Sequence, residues 1–309
     1  MTSGLLLVDK PEGLTSHDVV ARARRWAGTR RVGHAGTLDP MATGLLILGI
    51  DSATKLLTFL VGETKTYITT IRLGASTITD DREGEITEYA PSAAMTALDA
   101  GDALRTKLEA ALDGLRGEIM QVPSSVSAIK VDGQRAYAKV RSGDEVKLAA
   151  RPITISRFEI LGDPRHEQVD GHDFIDFDAI IDCSSGTYIR ALARDLGSAL
   201  GVGGHLTALR RTRIGSYSIA QAHTAEALQD LPKGELPIMP AAVAAREQFA
   251  VRELSAQEVI DLRHGKRIRS SGETAEPIAA FAPDGALIAM LTRSGKDLKS
   301  LVVFNEVNE

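Results

Sequence analysis

Apolar residues fall along the chain in short runs separated by glycine, proline and charged clusters, and the period of the pattern changes repeatedly. Leu5, Leu6, Leu7 and Val8 form a continuous run of strand length, and Lys10-Pro11-Glu12-Gly13 closes it as a turn. Ser16 then stands at an N-cap position, and Val19, Val20, Ala23, Trp26 and Ala27 recur at helical spacing. Residues 45–50 predict a buried strand, followed by a short helix with Ala53, Leu56, Leu57 and Leu60 on its apolar face. Residues 65–73 are rich in β-branched residues and partly alternate, which predicts a strand, and a turn with a short strand follows over 80–90. Thr96 and Asp99 match a capping box, opening a helix that buries Leu98, Leu104, Leu108 and Leu112. Strands are expected over 125–131 and 152–160 with a short helix over 134–140 between them. A strand over 174–182, a helix over 187–200, a strand over 214–219 and a helix over 224–231 come next.

A turn-rich stretch around Lys233, Gly234, Pro237 and Pro240 places a domain boundary near Ala245. Beyond it, Ser255 and Glu258 form a second capping box, and Pro283-Asp284-Gly285 between two apolar runs is a hairpin signal. Residues 298–304 supply a last strand. The reading is a main domain over 1–245 and a small β-barrel-like module over 246–309. Strands outnumber helices and the two intermix without βαβ spacing, which predicts an α+β fold with a mixed, largely antiparallel sheet.

Composition narrows the class. A chain of 309 residues, 43% hydrophobic and 25% charged, can bury a core and is not disordered. Cys183 is the single cysteine, which excludes a disulfide framework and multi-thiolate zinc sites. No apolar run reaches 18 residues and the N-terminal run is too short for a signal peptide, so a soluble cytoplasmic protein without membrane contact is expected. The net charge of -5 is not that of a typical nucleic-acid binder, yet charge is blocked. Residues 130–157 hold seven Lys or Arg against three acids, 190–213 five Arg against Asp195, and 159–182 eight acids against one base. Such blocks can form one basic and one acidic face. The seven histidines lack ligand spacing, and no metalloprotease, serine-hydrolase or calcium-loop pattern occurs, so no metal is expected. The glycines at 201, 203 and 204 follow a helix, unlike a phosphate-binding loop.

Residues 33–44 read Gly-His-Ala-Gly-Thr-Leu-Asp-Pro-Met-Ala-Thr-Gly, a constrained loop. Asp39 within it can be held rigidly toward a cleft, or can merely accept turn hydrogen bonds before its proline. Arg190 near a helix start can pair with Asp39, or with Asp195 on the surface. Tyr67 is a core aromatic or a cleft wall. His34 can donate to a phosphate or a base edge, and Lys10 can bind an anion or sit as a solvent-facing turn lysine.

These residues lie in motifs with a family likeness. Lys10-Pro-Glu-Gly-Leu-Thr-Ser16 and the loop 33–45, followed by Lys65-Thr66-Tyr67, closely resemble the bacterial tRNA pseudouridine-55 synthase family (TruB-type). Val122-Pro123-Ser124 through Lys130 and Gly133, Ser185 through Arg190, and Gly203-Gly204-His205-Leu206 through Arg211 continue the likeness in order. The resemblance implies the pseudouridine-synthase fold with a PUA-like C-terminal RNA-binding module. It implies isomerisation of one T-loop uridine of tRNA, at position 55, to pseudouridine, without metal, organic cofactor or ATP. Asp39 resembles the catalytic aspartate, attacking C1′ of the ribose or C6 of the base, with a glycal route as a third version. Arg190 resembles its charge partner, Tyr67 the ring packed on the base, Leu209 an apolar wall, and Lys10 and Tyr188 active-site supports. His34 resembles the side chain that enters the T-loop behind the flipped base. Residues 124–152 resemble a mobile RNA-clamping element, whose Lys130, Arg135, Lys139 and Arg141 are phosphate-contact candidates, as are Arg210 and Arg211 outside it. Residues 159–182 look family-variable, with His166 and His172 as exposed loop residues. The tRNA T-arm is the implied partner, with no obligate protein partner. Against these stand a non-catalytic RNA-binding protein of the same fold and an aspartate-nucleophile hydrolase. The adjacent Asp80 and Asp81 read as a turn at a strand end, which disfavours the hydrolase.

Overall fold

A computed structural model describes residues 3–99, 103–125, 130–131, 134–135, 148–232, 234–273 and 275–304. The chain divides into two compact units: Met1–Pro40 with Gly44–Gly62 and Gly215–Glu309, and Met41–Thr43 with Glu63–Ile214.

In the first unit the strand Gly4–Lys10 pairs antiparallel with Thr43–Ile50 along its whole length, and parallel with His223–Thr224. Both faces of this pair are buried, which is why the two segments read as continuous apolar runs rather than alternating ones. One face, carrying Leu6, Val8, Leu46, Leu48 and Ile50, packs on Val19, Val20 and Ala23 of the helix Ser16–Ala27. Each buried Leu, Ile or Val among these contributes about 1.5–3 kcal/mol by leaving water. The N-cap of that helix is Thr15, one residue before the expected Ser16. Thr15 Oγ1 accepts from the Asp18 N–H at 3.1 Å and the Asp18 carboxylate accepts from the Thr15 N–H at 2.9 Å, a capping box that leaves the Ser16 hydroxyl for other work.

The same unit includes a five-stranded sheet in the order Ala250–Glu253, Ile278–Phe281, Leu287–Ser294, Asp297–Val303, Ile268–Arg269. The helix Ala256–Arg263 closes its core through Val259 and Leu262, and the Ser255/Glu258 capping box forms as expected. The hairpin turns at Pro283-Asp284-Gly285, where Gly285 takes φ 86°. Phe59 meets Phe249 edge-on at 6.2 Å, and Lys55 Nζ donates to the Val303 carbonyl at 2.8 Å.

The second unit is built on five antiparallel strands in the order Gly204–Ile214, Lys65–Leu73, His172–Cys183, Arg151–Val169, Gly117–Gln121. The pattern of apolar residues does not announce Gly204–Ile214, because bulges between Leu206 and Ala208 and between Arg211 and Arg213 break its period of two. The helix Ile189–Leu200 packs against this strand at very close range. A Cβ on Gly197 would lie 2.1 Å from the Gly203 carbonyl carbon and 2.2 Å from the Gly204 nitrogen. The architecture is α+β, with pairing that is mostly antiparallel.

Three expectations are corrected here. His166 and His172 are exposed as expected but are not loop residues: they lie in the long hairpin of Arg151–Val169 and His172–Cys183, which extends the expected strands 152–160 and 174–182, and the His172 ring stacks on Tyr89 at 3.5 Å. Its charged residues are satisfied across strands, Arg165 by Asp178 and Arg72 by Asp176, so an acid-rich run forms strand. The helix expected from the Thr96/Asp99 pair is two helices, Ser92–Asp99 and Leu104–Asp113. Thr96 lies inside the first and donates to the Ser92 carbonyl at 2.9 Å. Gln134–Arg135 pairs as strand with Lys130–Val131, not as a helix start, and the rest of the expected 134–140 helix lies outside the described residues.

Candidate active site

In the first unit, Asp39 sits in the loop between the strands Val32–His34 and Thr43–Ile50, and both of its chain neighbours are tethered. The Leu38 N–H donates to Ser16 Oγ at 2.9 Å, and the Ser16 hydroxyl donates to the Leu38 carbonyl at 3.1 Å. The Pro40 carbonyl accepts from the Gly13 N–H at 2.9 Å and from Lys10 Nζ at 3.2 Å. Lys10 Nζ also donates to the carbonyls of Pro11 at 2.9 Å and Leu14 at 2.6 Å. Lys10 is fully buried, so the solvent-facing reading of this lysine is overturned. Three ammonium hydrogens meet three carbonyls, which satisfies a cation that burial would otherwise penalise heavily. A carboxylate whose backbone is held on both sides loses little orientational freedom on reacting. His34 ends the strand that enters this loop, half-buried, with its ring edge-on to His17 at 5.5 Å.

In the second unit, Tyr67 on Lys65–Leu73 stands opposite Arg211 on one side and Ile181 on the other, and Thr69 stands opposite Leu209. Cross-strand partners share a face, so Tyr67, Leu209 and Arg211 lie on one side of the sheet, all buried. Lys65 and Cys183 face each other two residues further along. Burial and the nearby Arg211 push the Lys65 ammonium down to about 8, and burial pushes the Cys183 thiol up to about 11.

Arg190 lies in the first turn of the helix Ile189–Leu200 and is 5% exposed. Its Nη1 donates to the Thr79 carbonyl at 2.7 Å, and its Nε lies 3.5 Å from the Asp81 carboxylate. Asp195, the surface partner considered for it, pairs instead with Arg194 at 2.8 Å. Arg194 also reaches Asp80 at 3.3 Å, whose carboxyl burial pushes above its ordinary range. Tyr188 is the N-cap of this helix, and the Gln121 side chain brackets its backbone. Gln121 Oε1 accepts the Tyr188 N–H at 2.9 Å, and Gln121 Nε2 donates to the Tyr188 carbonyl at 3.0 Å. Arg210 is half-buried, with Nη1 donating to Thr43 Oγ1 at 3.2 Å.

The TruB family pseudouridylate synthase N-terminal domain matches residues 24–189. The tRNA pseudouridylate synthase B C-terminal domain matches 190–235, and the tRNA pseudouridine synthase II C-terminal domain matches 249–305. The tRNA pseudouridine synthase B of Paenarthrobacter aurescens is 56% identical, covering 98% of this chain and 96% of that protein. This chain belongs to the TruB family of pseudouridylate synthases. The tRNA pseudouridine synthase B of Arthrobacter sp. (strain FB24) is 55% identical over 100% of the chain. Among solved structures, a chain of an H/ACA ribonucleoprotein bound to a substrate RNA containing 2'-deoxyuridine matches with TM-score 0.68 and 22% identity, covering 98% of this chain and 85% of that one. A Cbf5-Nop10-Gar1 complex matches with TM-score 0.68 and 23% identity, covering 97% and 84%. At those identities the likeness is one of fold, the pseudouridine-synthase fold.

Within the TruB frame, Lys130 and Arg135 face each other as paired strand residues, and Lys139 and Arg141 lie outside the described residues. Arg211 is 1% exposed, which corrects its expected phosphate contact: its guanidinium has no surface to offer an RNA strand. Asp80 and Asp81 stand in the turn after the strand Ala75–Thr77, as expected, and both are buried, Asp80 beside Arg194 and Asp81 beside Arg190. Neither Ser16 nor Gln121 sits in a motif whose spacing reports a contact to backbone 22 or 67 residues away. No helix among the described residues is long and apolar enough to cross a membrane.

Proposed function

We propose that this protein converts the uridine at position 55 in the T-loop of tRNA to pseudouridine, with Asp39 as the nucleophile. The tether on both neighbours of Asp39, in a chain of the TruB family, is the observation that carries this reading. The reaction is an isomerisation. The bond from C1′ to N1 breaks, the uracil turns, and a bond from C1′ to C5 forms. The C5 proton leaves and N1 gains one, so no external oxidant, reductant or group donor enters the balance. The target nucleotide leaves the stack at a cost of a few kcal/mol, which contacts in the pocket must offset. Tyr67 and Leu209 hold the ring, Arg190 supplies the positive charge that an ionised carboxylate in a dry pocket requires, and Lys10 and Tyr188 position their neighbours. His34, Lys130, Arg135 and Arg210 contact the RNA, as do Lys139 and Arg141 by the family likeness alone. Residues 246–309 form a second RNA-contacting module, with the boundary at 245. The protein works in the cytoplasm on free tRNA.

The test is tritium release from a T-arm stem-loop carrying a 5-tritiated target uridine, wild type beside Asp39→Asn, with EDTA present. Release by the wild type alone supports the assignment. Binding of the stem-loop without release by either protein identifies an RNA-binding protein that has no such activity.

A further inference from the structure

Five arginines, at 22, 24, 25, 30 and 31, fall within ten residues that contain no carboxylate. The helix carrying the first three ends at Gly28 in the left-handed region, φ 64°, and the chain then turns through Thr29 and Arg30 into the strand Val32–His34. Arg24, Arg25, Arg30 and Arg31 are exposed. Among the described residues none of these four takes part in an ion pair. Arg24 and Arg25 lie in the last turn of their helix, where the dipole favours cations, whereas Arg30 and Arg31 lie beyond it.

Arg30 and Arg31 line an open groove of about 700 Å³, together with His34, Lys55 and Leu57. Its one lining carboxylate, Asp51, is already engaged: it accepts from Thr29 Oγ1 at 3.0 Å, and its N–H donates to the Arg31 carbonyl at 2.8 Å. The floor is closed by Leu57, whose Cδ1 would lie 3.0 Å from a Cβ on Gly33. Lys55, which also lines the groove, donates from Nζ to the Val303 carbonyl at 2.8 Å. The groove opens on His34, and the chain continues from there through the tethered loop to Asp39.

We propose that this groove seats the sugar–phosphate backbone of the substrate RNA beside the nucleotide presented to Asp39, with Arg30 and Arg31 as phosphate contacts. The inference rests on the RNA-modifying reading above and extends it from His34 to Arg30 and Arg31, which that reading does not place in the site. An open, cation-lined trough suits an extended polyanion that passes through. Arginine's planar fork matches phosphate oxygens, and the groove is open rather than closed around a mononucleotide.

Binding of the T-arm stem-loop is measured against salt for the wild type, Arg30→Ala/Arg31→Ala and Arg30→Lys/Arg31→Lys. Loss of two phosphate contacts lowers the slope of log K against log[salt] by about 2 and weakens binding about tenfold or more near 0.1 M salt. The lysine pair retains most of the slope. Both positions are exposed, so urea midpoints of the variants stay at the wild-type value, which excludes misfolding as the cause. Wild-type affinity and slope in the alanine pair overturn the proposal. So does unchanged RNA binding accompanied by lost binding of polyglutamate, which would make the groove a seat for an acidic protein. Tritium release by the wild type reads the underlying activity and the salt slope reads the groove, so each can fail while the other stands.

Discussion

Ser16 binds Leu38 twice, taking its N–H at 2.9 Å and donating to its carbonyl at 3.1 Å, so one hydroxyl satisfies both backbone groups of the residue before Asp39. The Gln121 amide does the same for Tyr188, two residues before Arg190. In both cases a side chain grips the backbone close to a candidate catalytic residue and fixes where that residue's chain runs. Ser16→Ala leaves two buried groups unpaired and is expected to cost about 2–4 kcal/mol. Turnover at saturating RNA should fall by about tenfold or more, with stem-loop affinity near the wild-type value. Urea unfolding and single-turnover tritium release measure the two effects.

Lys10 acts from the other side of Asp39. Lys10→Met keeps the length of the side chain and removes all three donors to Pro11, Leu14 and Pro40. Each orphaned carbonyl costs about 1–3 kcal/mol where water cannot reach it. The expected result is a kcat lowered by about a hundredfold, about 2.7 kcal/mol of barrier, with RNA affinity little changed. A variant with normal kcat and weakened binding would show that Lys10 serves the RNA rather than the loop.

Asp81→Asn removes the carboxylate beside the buried Arg190. Breaking one partner of a buried pair costs about 3–5 kcal/mol, because the other charge is left behind. Asp195→Asn is the matched comparison, since Asp195 pairs with Arg194 where both side chains are about one-third exposed. That loss should stay below about 1 kcal/mol. Parallel urea melts of the two variants check the difference, and kcat should fall only in the first.

The pH dependence of stability has a defined sign around Lys65. Its ammonium titrates at about 8 in the folded protein, below the ordinary 10.5, so between those values the unfolded chain binds more protons. Stability therefore rises with pH above about 8. The Cys183 thiol, raised from 9.0 to about 11, opposes this above pH 9, where the folded state holds the extra proton. The rise should appear between about pH 8 and 9 and flatten beyond. Lys65→Met removes the burial cost of about 3 kcal/mol at neutral pH and should abolish the rise in urea midpoints over that window.

The parts of this molecule legible from sequence were those with local causes. Glycine and proline spacing marked the 33–44 loop, and the apolar runs marked the strands Gly4–Lys10 and Thr43–Ile50. The Ser255/Glu258 box and the Pro283-Asp284-Gly285 turn placed the C-terminal elements. What stayed hidden depends on partners far along the chain. Thr15 and Ser16 are both good caps, and only the 22-residue contact to Leu38 decides that Ser16 is used elsewhere. Gln121 and Tyr188 are 67 residues apart. Lys10 looks like a surface turn residue until the backbone folds three carbonyls around it. The strand Gly204–Ile214 carries two bulges, and the rhythm that would mark it is lost at each.

Cys183, alone of its kind in the chain and 2% exposed, has a practical bearing. With its thiol pushed up to about 11, it presents almost no thiolate to a maleimide at neutral pH. A cysteine introduced at the exposed Ala21, on the helix that carries the first of the arginines, would then be the one thiol to take a dye. The native protein thus needs no cysteine removed before fluorescence can follow the approach of an RNA strand in real time.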